Sequence, residues 1–506
     1  MSAADDDATA DRRWVVLAVV AVAQLMVVLD GTIVNIALPS AQQSLGFSDS
    51  DRQWVVTAYA LAFGSLLLVG GRLGDMFSRK WVFVAGLAGF ALASALGGAA
   101  GSFGVLVTAR ALQGVFGAVL APSALGTLVS VFTDPRERAR AFGVFGSVAA
   151  GGSAVGLILG GVLTEYLSWR WCLYINLVFA AIAVAGALVY LRGGRPAGRP
   201  RMDWPGAVLA CAGLFALVFG FSHAEAAGWT AALTLGSLAG GVVLLAGFIL
   251  AERRVRHPLL PLRVIVDRTR GGAYVALGIS GIAIFGTFLF LTFYLQVVKG
   301  DSPLTTGLLF LPMTGCILIS SNLSSTIALG PRALIATGML LAACGMALLT
   351  QVTVTSSYVG GVLPALLVMG LGLGLIFAQT INTATAGLAR EDSGVASALV
   401  NTMQQVGGSI GTSALSTIAL SAAATYLIGH PTGPQAAAIA ATHGYTIAFG
   451  VSAGLLGLGG ILTIVLLPSR RRLAATPPAE PQASEAIPVA LCSCSPVITT
   501  VAGSDP

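Results

Sequence analysis

Charge is what this sequence has least of. Asp, Glu, Lys and Arg together make up 9% of its 506 residues, against 56% apolar. A soluble domain carries about 25% charged residues, so charges this sparse cannot cover a soluble particle of this size. Lysine is nearly missing, with Lys80 and Lys299 alone. Four histidines occur, His223, His257, His430 and His443, none deep in an apolar run. Of the cysteines, Cys172, Cys211, Cys316 and Cys344 fall in apolar runs, while Cys492 and Cys494 form a lone C-x-C. Without a C-x-x-C pair or a histidine cluster, neither a zinc site nor a disulfide framework is indicated. No metal cluster or nucleophile triad supports an enzyme. No G-x-x-x-x-G-K-[ST] loop is present, so ATP is not expected as fuel.

What is present is long apolar sequence. A span needs about 20 mostly apolar residues. Candidates fall at roughly 14–38, 53–71, 81–100, 104–128, 140–164, 170–191, 204–222, 230–251, 272–297, 304–328, 333–350, 357–380, 394–422 and 446–467. The expectation is therefore an all-α integral membrane protein with fourteen transmembrane helices. The first run is too long for a signal-peptide core, so the chain is expected to insert by its first helix. The 64 glycines suit such a bundle, because small residues let membrane helices approach closely.

The net charge of +6 does not point to nucleic acid, because the basic residues sit in short loops between apolar runs. With the N-terminus inside, twenty-three basic residues fall on the inner side and three, Arg52, Arg170 and Lys299, on the outer. Cytoplasmic loops carry the excess of Lys and Arg, so both termini are expected in the cytoplasm. The organisation reads as an N-terminus (1–13), a first six-helix bundle (14–191), a basic linker with two additional helices (192–271), a second six-helix bundle (272–467) and a Pro-, Ala- and Ser-rich tail (468–506) expected to be disordered.

Polar residues inside the spans are the candidates for function. Asp30 is the only carboxylate well inside one. A charge at mid-bilayer costs about 2.5–3.5 kcal/mol on insertion scales, so intramembrane acids face protein or water and mark function. Burial favours the neutral acid, which makes Asp30 a candidate proton or cation site; the bland alternative is a carboxylate with one permanent partner. Arg110 lies at a similar depth in span 4, with Gln113, Gly114 and Gly117 following on the same face. Either it tunes Asp30 or it snorkels to the outer interface. Span 5 carries Gly152, Gly156, Gly160 and Gly161, a smooth ridge for tight packing or gating. Span 13 carries Asn401, Gln404, Gln405 and Gly408 at the same helical spacing. With Asn35 of span 1 these are candidates to line a substrate cavity, or to bond between helices. Phe285, Phe288, Phe290, Phe293 and Tyr294 could stack on a ligand or face lipid or core.

Four stretches resemble the major facilitator superfamily, specifically its fourteen-helix drug:proton antiporters. They are Leu29 to Pro39 (Leu-Asp-Gly-Thr-Ile-Val-Asn-Ile-Ala-Leu-Pro), Gly71 to Lys80 (Gly-Arg-Leu-Gly-Asp-Met-Phe-Ser-Arg-Lys), Arg110 with Gln113, Gly114 and Gly117, and the span-5 glycines. The Trp169-Arg170-Trp171 and Asn176 stretch and the span-13 amides are similar too. The sequence departs at Ser78, where the loop motif has Gly, at Leu157, where the antiporter motif often has Pro, and around 329–332, which lacks a charged second copy of the loop motif.

The resemblance implies two six-helix halves plus two extra central helices in a multi-pass protein of the bacterial cell membrane. Asp30 would be the protonation site, with Arg110 and Gln113 as partners. Gly71, Asp75, Arg79 and Lys80 would latch the cytoplasmic ends; the bland reading is a solvated, topogenic loop. The implied function is proton-driven export of a lipophilic small molecule, such as a drug or antibiotic, by a monomer that uses the proton motive force and no cofactor. The alternative is a metabolite or nutrient transporter of the same superfamily. With one deep acid, neutral or monocationic substrates are expected over dications.

Overall fold

Backbone that lies in hydrocarbon must satisfy its own hydrogen bonds, which leaves helices or closed barrels. Here the apolar runs form helices, seen in a computed structural model that describes residues 3–468 except 133, 192, 194–202, 256–257, 261, 325, 328, 386–389, 430–432 and 434. In chain order they are α1 (Ala3–Leu45), α2 (Arg52–Met76), α3 (Arg79–Gly98), α4 (Phe103–Val131), α5 (Pro135–Tyr166), α6 (Trp171–Tyr190), α7 (Trp204–Ala227) and α8 (Ala232–Glu252). There follow the short α9 (Leu262–Val266), then α10 (Arg268–Phe293), α11 (Pro303–Leu309), α12 (Leu311–Leu323), α13 (Pro331–Leu349), α14 (Leu363–Thr385), α15 (Arg390–Gly429) and α16 (Ala436–Leu466).

Among the described residues, 13 helices are long and apolar enough to cross a membrane. Helix α2, with 25 residues, stands where the second span is expected and is not in that count. The tail 469–506 and most of the basic segment 192–202 lie outside the described residues.

Several helix starts follow from an acceptor side chain placed before a proline, the arrangement that satisfies free N–H groups and presets the first turn. Asp134 accepts from the N–H of Arg136 and Glu137, with Pro135 opening α5. Ser302 accepts from Thr305 N–H beside Pro303, and Asp203 accepts from Gly206 N–H at the start of α7. The tenth expected span is broken at Phe310, just before Pro312, into α11 and α12. Wide turns at Tyr294–Val298 and Tyr358–Val362 end α10 and begin the segment that continues as α14.

Helices α1 to α6 pack among themselves, with α2 and α3 on α4 and α1 on α5 and α6. Helices α10 and α12 to α16 form a second group in which α10 packs on α15 and α16, and α14 on α12 and α13. The groups meet where α2 lies on α15 and α5 lies on α11. Helices α7 and α8 pair with each other, and α7 leans on both α2 and α15 at that seam.

At one end of the pair the Glu252 carboxylate accepts from Leu260 N–H at 3.1 Å. The neighbouring Pro258 carbonyl accepts from Arg72 Nη2 of α2 at 2.6 Å. Leu92, Val243, Ile461 and Val465 stay more than half exposed, the dress of a surface that faces lipid tails rather than water.

Candidate proton-coupling site

Asp30 has no exposed surface. A carboxylate in that position must be compensated by donors, and three reach it from two other helices. Arg110 Nη1 of α4 lies 2.6 Å from Oδ2. Gln113 Nε2, one helical turn on, and Asn176 Nδ2 of α6 each donate to Oδ1 at 2.8 Å. Ser94 Oγ of α3 lies 2.7 Å from Gln113 Nε2 and 3.3 Å from Asn176 Nδ2. Gln113 Oε1 in turn accepts from Arg110 Nη1 at 2.8 Å. The guanidinium also donates from Nε to the Val55 carbonyl of α2 at 3.0 Å and stacks 4.4 Å from the Tyr59 ring centre. Such charge-assisted bonds are short and strong. The snorkelling alternative for Arg110 does not hold: its fork points into the bundle and the residue is 2% exposed.

Glycine lets the helices close around this cluster. A Cβ at Gly114 would press on the Tyr59 carbonyl and lie 2.8 Å from the Ala62 Cβ, and one at Gly117 would lie 3.0 Å from the Phe63 ring. Gly152, Gly156 and Gly160 seat α5 on α1, where a Cβ would meet Leu25, Thr32 and Ile33 in turn. Gly161 faces across the seam instead, with Leu304 Cα of α11 at 2.5 Å from a Cβ built there. The same seam is tight from the other side, since a Cβ at Gly307 would press on the carbonyl of Leu157.

The end of the bundle that the loop charges place outside is sealed. Arg52, which the sequence reading set in an outer loop, opens α2 and is 2% exposed. Its guanidinium lies 4.1 Å from the Phe293 ring centre and 5.6 Å from that of Tyr445, both in the second helix group. Its Nη1 is 3.4 Å from Tyr445 Oη and 3.7 Å from the exposed Asp49 carboxylate, while Nε and Nη2 have no hydrogen-bond partner among the described residues. Nearby, Gln296 Nε2 donates to the Ile36 carbonyl at 3.0 Å, and Glu165 accepts from Ser302 Oγ and Leu304 N–H. At the opposite end α5 is bare, with Phe142, Gly143, Val144, Gly146 and Ser147 all exposed.

The other sequence candidates scatter. Arg79 Nη1 donates to the Gly126 carbonyl of α4 and Lys80 Nζ to the Leu188 carbonyl of α6, contacts inside the first group. From the same motif it is Arg72 that reaches the linker. Gly71 is open enough that a Cβ would meet only Pro122, at 3.8 Å; the Asp75 side chain lies outside the described residues. Asn35 bonds back to the Gly31 carbonyl of its own helix. Asn401 is exposed and Gln404 and Gln405 are half-buried, but Gly408 is a packing glycine with the Phe285 ring 2.7 Å from a Cβ built on it. Phe290, Phe293 and Tyr294 are buried core, with Phe285 and Phe288 packed against them.

Val55, Tyr59 and Ser94 escaped the sequence reading, and Asn176 entered it only by resemblance. None breaks an apolar run as a charge does, so no local signal marks them.

The sequence profile described as the Major Facilitator Superfamily matches residues 20–412. A puromycin resistance protein of Streptomyces alboniger is 49% identical over 92% of this chain and 93% of its own length. A tetracenomycin C resistance and export protein of Streptomyces glaucescens is 37% identical over 80% of this chain and 75% of its own. Among solved structures, that of an auto-inhibited peptide transporter of the POT family superposes with a TM-score of 0.65 at 15% identity, covering 90% of this chain and 96% of that one, which speaks to the fold alone. With the profile spanning most of the chain and relatives aligned along nearly all of it, this multi-pass membrane protein belongs to the major facilitator superfamily and is a transporter, not an enzyme.

Proposed function

We propose that this transporter exports lipophilic small molecules, antibiotics among them, in exchange for protons, and that Asp30 is the proton-binding group. The observation that carries the reading is the Asp30 cluster: a fully buried carboxylate held by an arginine and two amides. A proton added there has to displace one of three donors, so occupancy changes how α1, α4 and α6 are tied together. The names of the two relatives, one for resistance and one for resistance and export, support the direction. The sealed outer end and bare inner end suit a state that takes substrate from the cytoplasmic side, with both termini on that side. The protein works as a monomer with no cofactor. One charge moved through 100 mV supplies about 2.3 kcal/mol, enough for a gradient of roughly fifty-fold.

The test is Asp30→Asn in a drug-susceptible host lacking its own pumps. We expect normal membrane abundance, loss of resistance to puromycin and related compounds, and loss of proton-gradient-driven efflux of a lipophilic cationic dye. Undiminished efflux at equal abundance removes Asp30 from the mechanism. Dye uptake instead of exclusion reverses the direction.

A further inference from the structure

We infer that Asn176 is the positioning residue that reads the protonation state of Asp30, by turning its side-chain amide over when the proton binds. The inference rests on Asp30 being the proton site. Its basis is an asymmetry between the two amides that hold the carboxylate.

Gln113 is locked. Its Oε1 accepts from Arg110 Nη1 at 2.8 Å while its Nε2 donates to Asp30 Oδ1 and faces Ser94 Oγ. Turning it over would set its NH2 against the guanidinium, donor facing donor. Asn176 is locked on one side only. Its Nδ2 donates to Asp30 Oδ1 at 2.8 Å and lies 3.3 Å from Ser94 Oγ, but its Oδ1 is buried and has no hydrogen-bond partner among the described residues. A buried acceptor left without a donor is costly and calls for an explanation.

Protonation supplies one. The ionised carboxylate is an acceptor only, so Asn176 must present its NH2. The protonated acid carries an O–H that needs an acceptor. A half-turn of the Asn176 amide brings Oδ1 to that O–H, and the Ser94 hydroxyl can rotate to follow. The proton adds to Oδ1 of Asp30 and leaves from it; no other bond is made or broken. The cluster gains one positive charge on loading and loses it on release.

Among the described residues, the other titratable groups around Asp30 are Arg110 of α4, Tyr59 of α2 and Cys172 of α6. From α3 the cluster receives Ser94, and from α5 only the Gly156 and Gly160 surface beside Leu29 and Ile33. Arginine stays charged, and a buried phenol or thiol stays neutral through the physiological range. The proton step therefore falls to Asp30, and the acceptor it needs falls to Asn176.

The experiment is infrared difference spectroscopy of the purified protein in lipid, titrated from alkaline to acid, following the C=O stretch of a protonated carboxylic acid. In the wild type we expect one such band, absent in Asp30→Asn, at the position of an acid whose O–H is hydrogen-bonded. In Asn176→Leu the band should move toward the free-acid position, with its titration midpoint nearly unchanged, because both protonation states lose a bond. Asn176→Ser, whose hydroxyl can donate or accept, should return the band toward its wild-type position.

If Asn176 were only a structural donor, Asn176→Leu would weaken the ionised form alone. The midpoint would then move to higher pH with the band in place, and that result overturns the inference. An unchanged band and midpoint in Asn176→Leu overturns it as well. An acid band that survives Asp30→Asn overturns the proton-site reading together with it. Monodispersity and thermal unfolding of each variant establish that the folded protein is being compared.

Discussion

Arg110 uses its planar fork in three directions at once: toward the Asp30 carboxylate, toward the Val55 carbonyl and against the Tyr59 ring. A lysine would keep the charge but offers a single compact head on a flexible stem. Arg110→Lys is therefore expected to retain the ion pair, lose the tie to α2, and cut dye efflux at least tenfold at normal abundance. Arg110→Ala leaves the carboxylate buried without its cation and should cost about 3–5 kcal/mol of stability, read as a lower unfolding temperature in detergent. Adding Asp30→Asn to Arg110→Ala should recover much of that loss, because no unpaired charge then remains. The pair was legible in the sequence because a carboxylate and a guanidinium are conspicuous in apolar runs, and Gln113 follows Arg110 by one turn. Ser94 and Asn176 were not, since a hydroxyl or an amide is cheap enough in a span to go unremarked. Their partners also lie far along the chain, as with the 146 residues between Asn176 and Asp30.

At the scale of elements, the α5 glycines divide by what they face. Gly156 is pressed by Thr32, with Leu29 Cδ2 at 3.3 Å from a Cβ built there, whereas a Cβ at Gly151 meets nothing within 4 Å. Gly156→Val is expected to force α5 from α1 at a cost of about 1–3 kcal/mol and to lower the thermal midpoint. Gly151→Ala should be silent in the same measurement. Gly161→Ala should leave the midpoint close to wild type while slowing efflux, because its obstruction lies on a seam that has to part. Spacing by four revealed the ridge but not that its last member turns toward the other half. Apolar length foretold the helices themselves. It gave no sign of the break at Phe310 or the wide turns at Tyr294–Val298 and Tyr358–Val362, since hydropathy is the same on both sides of each.

For the whole molecule, the question is which end is shut and what shuts it. Arg52 spans the seam at the outer end, with Phe293 and Tyr445 as its partners from the opposite half. A cation over an aromatic ring away from water is worth about 2 kcal/mol. Arg52→Ala should therefore lengthen the distance between spin labels at Ser44 and Thr355, on opposite sides of the outer mouth, in a cysteine-free background that still exports. An unchanged distance distribution would remove Arg52 from the seal.

Two of the three guanidinium nitrogens of Arg52 go without hydrogen bonds while the mouth is shut. Water would provide those bonds once the halves separate, so what opening loses in ring contact it recovers in hydration. The closure is held in near balance, like a hinged door with a counterweight rather than a bolt. A machine that must open and shut at every turnover is better served by a catch that a single proton's worth of energy can lift.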